Sequence, residues 1–326
     1  MEPLLAKLLM VTLAIGLGCG GVVALFYGAN ELVERVSPGP RKRHILPWVY
    51  LAPALLLVTA YLVIPTFVTV YLSLLDARSQ AFVGFANYMA LLTDRGMGMT
   101  LRNNLLWLVG VTGASVGLGL LIAVLADRVR YETVPKTLIF LPMAISFVGA
   151  SVIWKFIYAF RPAGTAQIGL LNGLVTGLGF EPVGWLVERS INNVALIVIM
   201  IWLQTGFCMV LLSAAVKGIP QEILEAARID GASEVQIFWR ITVPMIRSTI
   251  LVVATTTILL VLKVFDIVYV MTAGNQGTEV LASRMFKEMF SFRHYGRGSA
   301  IAVLLLLAVV PVMIANIREF RQPTPR

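Results

Sequence analysis

The sequence predicts an all-α, polytopic membrane protein with about seven transmembrane helices. Of its 326 residues, 58% are apolar and only 13% are charged, about half the charge of an ordinary soluble domain. Six charge-free runs, at 8–30, 45–75, 103–126, 137–154, 190–216 and 298–317, each approach or exceed the roughly 20 residues that cross about 30 Å of hydrocarbon. A seventh begins at Ser248, is interrupted by Lys263 and Asp266, and resumes to Thr278. In such a chain the net charge of +9 is a question of topology rather than of nucleic-acid binding. No nucleic-acid partner is expected.

The first helix, near 4–27, carries Lys7 at its start as a signal peptide would. No small-residue cleavage site leads into a soluble domain, and more spans follow, so it is read as a crossing. The segment 28–47 holds the basic run Arg41-Lys42-Arg43-His44, and residues 1–47 form an N-terminal helix with a cytoplasmic linker. Further helices are expected at 48–75, 104–126, 137–160, 194–216, 249–272 and 299–317, a core of 48–317 followed by a tail at 318–326. With the basic run inside, fourteen lysines and arginines fall in inner segments and nine in outer loops. Basic density is then roughly twofold higher inside, the sign required by the positive-inside rule. The N-terminus is expected outside and the C-terminus in the cytoplasm. The outer stretch 162–180 is uncharged, but its five glycines and Asn172 suit an interfacial or re-entrant segment better than a span. Pro53, Pro65, Pro142 and Pro311 punctuate the spans, and such kinks persist where neighbouring helices satisfy the freed backbone.

The inner loop 217–247 carries the densest pattern and reads as two short helices joined at a turn. Pro220 suits the first position of a helix, and Gly231 the left-handed residue just past its end. Ser233 with Gln236 forms a capping box, and Pro244 is expected to stop the second helix. Ile223, Ala226 and Ala227 share one face of the first helix, and Phe238 and Trp239 add exposed aromatic area. A helix pair of this kind on the cytoplasmic side reads as a plug for a soluble partner.

The run Glu225-Ala226-Ala227, three residues, Gly231, nine residues, Ile241, one residue, Val243-Pro244 resembles the EAA signature of permease subunits in binding-protein-dependent ABC importers. It departs only in having valine where leucine is usual before the proline. FLPMAIS at 140–146 and LKVFDIVYVMTAGNQGTEV at 262–280 are similar to the maltose and α-glucoside branch of that family. The resemblance implies a six-helix type I importer core plus one N-terminal helix, in a bacterial or archaeal plasma membrane. It implies that Glu225, Ala226, Ala227, Asp230, Gly231, Ile241 and Pro244 couple to an ATPase dimer. A second permease subunit, an extracytoplasmic solute-binding protein and a sugar substrate are implied as further partners. The chain has no G-x-x-x-x-G-K-[ST] run, so ATP and Mg are expected on the separate ATPase subunits and no cofactor on this chain.

Charges inside spans are costly and mark candidate sites. Lys263, Asp266 and Tyr269 follow i, i+3, i+6 spacing, so one helical stripe would carry them, either as a structural ion pair or as part of a substrate path. Sugars are held by hydrogen bonds and by aromatic packing, and Asn104, Trp202, Gln204, Tyr269 and Asn275 have that chemistry. Interhelical hydrogen bonding or an interfacial aromatic belt explains each of them equally well. Cys19 and Cys208 lie in apolar spans, and His44 and His294 in loops, with no ligand spacing among them. An ATP-independent transporter or channel would leave the inner helix pair unexplained, and an intramembrane enzyme would need catalytic groups that are not paired here.

Overall fold

The computed structural model describes residues 2–36, 42–127 and 130–320. Arg41, Arg128 and tail residues 321–326, which entered the orientation reading, lie outside the described residues. The chain divides into two compact units, Met1–Val68 and Thr69–Arg326.

In the first unit, helix Glu2–Val36 is followed by helix Lys42–Val58, and Phe26 stacks on Tyr50 with ring centroids 5.4 Å apart. The second span then passes through a π turn, Thr59–Val63, into helix Ile64–Leu72. The Ile64 amide donates to the Thr59 carbonyl, a wider turn placed directly before Pro65, whose ring would crowd a regular helix.

Among the described residues, five helices are long and apolar enough to cross a membrane by themselves: Leu9–Glu31, His44–Leu72, Arg95–Ala126, Asn192–Lys217 and Tyr295–Ile314. Two bent pairs raise the number to seven if each is one crossing: Thr133–Ala144 with Phe147–Ile157, bent by 104°, and Glu234–Met245 with Arg247–Leu262, bent by 72°. Among the described residues no strand forms, only an isolated bridge between Leu75 and Phe82.

The structure corrects the expected continuity of two spans. The fourth breaks at Ile145 and Ser146, where Leu141–Ala144 tightens into a 3₁₀ turn and Ser146 caps the next half-helix by accepting the Gly149 amide at 3.1 Å. Pro142 supplies no amide to the ladder, and a serine side chain competes for local donors. The sixth ends at Leu262, and Phe265 adopts φ −138°, ψ −57° before Asp266–Thr272 restarts. Asp266 opens that restart, where a carboxylate meets the positive end of the helix. Pro311, by contrast, lies inside helix Tyr295–Phe320.

The third and fifth spans form the centre of the second unit. A Cβ added at Gly119 would lie 2.7 Å from the Cys208 Cβ, so the two backbones approach closely because glycine stands there. Trp107, Leu196, Ile199, Met200, Leu203, Ile267 and Val268 are buried around this seam. The glycine-rich stretch 162–180 holds only the short helix Leu170–Gly177. Its buried Asn172 donates to the carbonyls of Ala159 and Val183, both at 3.0 Å, and accepts the Val183 amide at 2.9 Å.

Candidate functional site

The inner helix pair forms as its sequence directs. Pro220 takes the cap position, one residue earlier than expected, and the helix runs Gln221–Ile229. Gly231 has φ +83°. Its amide bonds the Arg228 carbonyl at 3.1 Å, and the Ala232 amide bonds Ala227 at 3.0 Å, the two bonds of a Schellman ending. Ser233 and Gln236 exchange the reciprocal bonds of a capping box. Arg228 pairs with Glu234 at 2.9 Å across the turn and braces the two helices.

Two expectations for this loop are corrected. Pro244 does not stop the second helix. Glu234–Ile237 runs through a π turn, Phe238–Thr242, into Val243–Met245, and the chain bends at Ile246. Pro244 is tolerated because it falls at the start of that last segment, where a missing amide costs little. Phe238 is half-buried against the core formed by Val116, Met209 and Val253, while Trp239 remains exposed. Glu225, Ala226, Asp230, Gly231 and Pro244 are exposed, Ala227 and Ile241 half-buried. Ile229, at the tip, is 86% exposed. An apolar side chain so presented beside a braced turn is suited to insertion into another protein.

A second feature arises where the two helix breaks meet. Met143, Ile145, Ser146, Phe147 and Val148 from the first break, Leu203 and Gln204 from the fifth span, and Leu260 and Asp266 from the second break line an open cavity of about 440 Å³. Gln204 and Asp266, both singled out from sequence, therefore line one pocket. Lys263 is exposed and borders an adjoining 30 Å³ pocket that Asp266 shares. The helix between Lys263 and Asp266 is interrupted and they form no ion pair, so the continuous stripe is corrected.

The other predicted path residues lie apart from this cavity. Trp202 meets Trp154 edge-on at 5.8 Å, and Trp154 continues to Tyr158 at 5.0 Å. Tyr269 stacks on Phe265 at 5.0 Å and meets Phe286 at 5.1 Å. Asn275 is exposed on a turn. Asn104 is buried and its side-chain oxygen accepts the Leu281 amide at 2.7 Å. That contact belongs to a clamp: Asn103 donates to the carbonyls of Gly277 and Glu279 at 2.7 and 2.8 Å, and Asn192 to Gln276 at 2.9 Å. The clamped turn holds Ala273 at φ 52° and Gln276 at φ 56°, each costing on the order of 1–2 kcal/mol. In the sequence this clamp is visible only as the doublets Asn103-Asn104 and Asn192-Asn193. Asn103→Ala should leave two carbonyls short of a donor and cost about 1–3 kcal/mol, read as a lower melting temperature and faster proteolysis within 273–280.

Between the helix pair and the cavity lies an ionic cluster that was not singled out from sequence. The Lys136 ammonium contacts Asp127, reaches Glu132 at 2.5 Å and donates to the Ser213 hydroxyl at 2.8 Å. Ser213 donates to Asp127 at 2.9 Å, and Lys217 pairs with Glu132 at 2.5 Å. Lys136 and then Lys217 lower the Glu132 carboxyl to about 2. Because that value is depressed, the contribution is fully present above the ordinary value of 4.5 and is lost as pH falls toward 2. The cluster therefore stays intact throughout the physiological range.

Residues 115–317 match the family described as the binding-protein-dependent transport system inner membrane component. The chain is 71% identical over 272 residues to the osmoprotective compounds uptake permease protein GgtC of Synechocystis sp., covering 83% of this chain and 98% of that protein. It is 49% identical over 332 residues to the alpha-glucoside transport system permease protein AglF of Rhizobium meliloti, covering 98% of each. A bacterial ABC transporter that imports the acidic polysaccharide alginate shares the fold, with a TM-score of 0.74 at 22% identity over 87% of this chain and 98% of that one. Helices broken at one cavity and a matched 115–317 segment lead to one conclusion: this chain is a multi-pass membrane permease belonging to the binding-protein-dependent transport system inner membrane component family.

Proposed function

We propose that the chain is a permease subunit of an ATP-driven importer whose substrate is an uncharged α-glucoside. The observation that carries this reading is the near full-length relation to an alpha-glucoside permease, 98% of each chain at 49% identity. The cavity supports it. Its lining offers the Gln204 amide, the Ser146 hydroxyl and the Asp266 carboxylate among apolar walls, and no lysine, arginine or histidine. A carboxylate accepts sugar hydroxyls and repels an anionic ligand, so a neutral sugar is favoured over an acidic one.

In this reading the sugar arrives from an extracytoplasmic solute-binding protein and passes between this subunit and a second permease. Glu225, Ala226, Ala227, Asp230, Gly231, Ile241 and Pro244 shape or line the plug that docks on the ATPase dimer, which binds ATP and Mg. The N-terminus lies outside and the C-terminus in the cytoplasm, so a reporter after Arg43 should read as cytoplasmic and one near Gly177 as external.

The deciding experiment purifies the tagged chain with its native associates and reconstitutes them with the solute-binding protein. The expected result is co-purification of an ATPase and a second permease, with ATP-dependent uptake of a labelled neutral α-glucoside such as maltose, trehalose or sucrose. Uptake that persists without ATP, or a chain active with no ATPase present, would establish a secondary transporter or channel instead.

A further inference from the structure

The Lys136 cluster and the cavity lie on one structural element. Helix Thr133–Phe140 and the 3₁₀ turn Leu141–Ala144 run without interruption from Lys136 to the break at Ile145. At about 1.5 Å per residue, Lys136 stands roughly 10 Å along this element from Met143, which lines the cavity. The cytoplasmic end is fastened by Lys136 to Asp127 at the end of the third span and to Ser213 in the fifth. Glu132, one residue before the helix, is held by Lys217, the last residue of the fifth span. Only Gly218, Ile219 and Pro220 separate Lys217 from the first helix of the inner pair.

Midway along, the element rests on the fifth span at one glycine. A Cβ on Gly206 would fall 2.5 Å from the Ile139 carbonyl oxygen and 2.6 Å from the Phe140 Cα, so that contact exists only because residue 206 has no side chain. A cavity of about 300 Å³, bordered by Asp127, Lys217, Gln221, Leu224, Arg228 and Phe238 among others, separates the ionic cluster from the helix pair. It leaves room for one to shift against the other, which a close-packed interior would not.

We propose that segment 133–144 is a lever that carries movement of the inner helix pair to the substrate cavity, with Lys136 as the positioning residue that fastens its cytoplasmic end and Gly206 as its pivot. The inference rests on the ATP-driven reading above and adds the route of coupling within this chain. Lys136 touches neither substrate nor ATPase. It acts by holding Asp127, Glu132 and Ser213 as one body, so that displacement of Lys217 is passed to Met143, Ile145 and Ser146. Without the ammonium, the two carboxylates repel each other and the end of the lever is free to slip.

The test uses the complete transporter in proteoliposomes and measures ATP hydrolysis and sugar uptake in the same preparation. Lys136→Met should assemble and hydrolyse ATP, with uptake per ATP reduced by about tenfold, a loss within the usual range of coupling between sites. Lys136→Arg, able to bridge the same carboxylates, should restore most of that ratio. An Asp127→Asn/Lys136→Met double variant removes the uncompensated charge and should fold at least as well as Lys136→Met while remaining uncoupled.

A cysteine probe gives an independent readout. With Met143→Cys in a Cys19→Ser background, alkylation by a small maleimide should change on trapping with ATP and vanadate, and that change should vanish in Lys136→Met. Wild-type uptake per ATP in both Lys136→Met and the double variant would overturn the lever. So would a nucleotide-dependent alkylation change that persists in Lys136→Met, or proportional loss of uptake and hydrolysis through failed assembly in every variant. If the unmodified chain shows no ATP-dependent uptake at all, the functional reading itself has failed, which the wild-type control reveals separately.

Discussion

Gly231→Val is expected to strip the ATPase from the purified permease, while Gly231→Asn retains most of it. At φ +83°, with no atom within 4 Å of a Cβ built there, the position is constrained by backbone conformation and not by space. A side chain in the left-handed region costs on the order of 1–2 kcal/mol, more for a β-branched residue and less for asparagine. Each 1.4 kcal/mol is a factor of about ten in an equilibrium, so valine should weaken docking by about tenfold or more. It does so by releasing the Schellman bonds from Gly231 to Arg228 and from Ala232 to Ala227, which set the angle between the two helices. Membrane insertion should be unchanged, because Gly231 lies outside every span. Pull-down of the ATPase at limiting concentration gives the comparison. Equal retention in the valine and asparagine variants would show that the turn is not what the ATPase grips.

Glu225→Lys offers a contrast on the same surface. The side chain is exposed and makes no ion pair among the described residues, though its charge favours the nearby Arg228 cation, so reversing it changes chiefly what the plug presents. Weakened docking there, with an unaltered thermal transition, would separate recognition at Glu225 from shape at Gly231.

What could be read in the sequence follows from the range of the forces involved. The capping box at Ser233 and Gln236 and the left-handed Gly231 are local, settled within four or five residues, and both appear as expected. The apolar runs are set by the thickness of a bilayer, and helices Asn192–Lys217 and Tyr295–Phe320 stand within four residues of the expected limits, while Glu2–Val36 and Arg95–Ala126 overrun theirs by nine at one end. Pro142 marks the fourth span for a kink, but the full break at Ile145 and the proline-free break at 263–265 are not legible from hydropathy. They depend on what lies opposite. Gly206, distant in sequence, admits the Ile139 and Phe140 backbone, and Val264 turns into the core beside Met271. Sequence alone leaves Asn104 between sugar chemistry and interhelical hydrogen bonding, because an amide looks the same whether it faces a ligand or a backbone. Only the fold brings it to Leu281, 177 positions away.

Asp266→Ala should reduce uptake sharply, and Lys263→Met should not. Had the two been ion-paired on a continuous helix, removing both would be milder than removing one, since each would otherwise leave a bare charge in an apolar span. The helix break removes that expectation. Asp266 borders the 440 Å³ cavity with Gln204, whereas Lys263 is exposed and is absent from that lining. A hydrogen bond to a charged group contributes about 1.5–3 kcal/mol, so losing the carboxylate should raise the substrate KM for uptake by about ten- to a hundredfold. Asp266→Asn keeps an acceptor in place and should fall between wild type and alanine. The double variant should match Asp266→Ala, with a coupling energy between the sites below about 0.5 kcal/mol. Transport kinetics on the four proteins, with assembly yield as the control, decide the point. Recovery of uptake in Lys263→Met/Asp266→Ala relative to Asp266→Ala would mean that the two charges do pair during the transport cycle, and would move Asp266 from the sugar path to the scaffold.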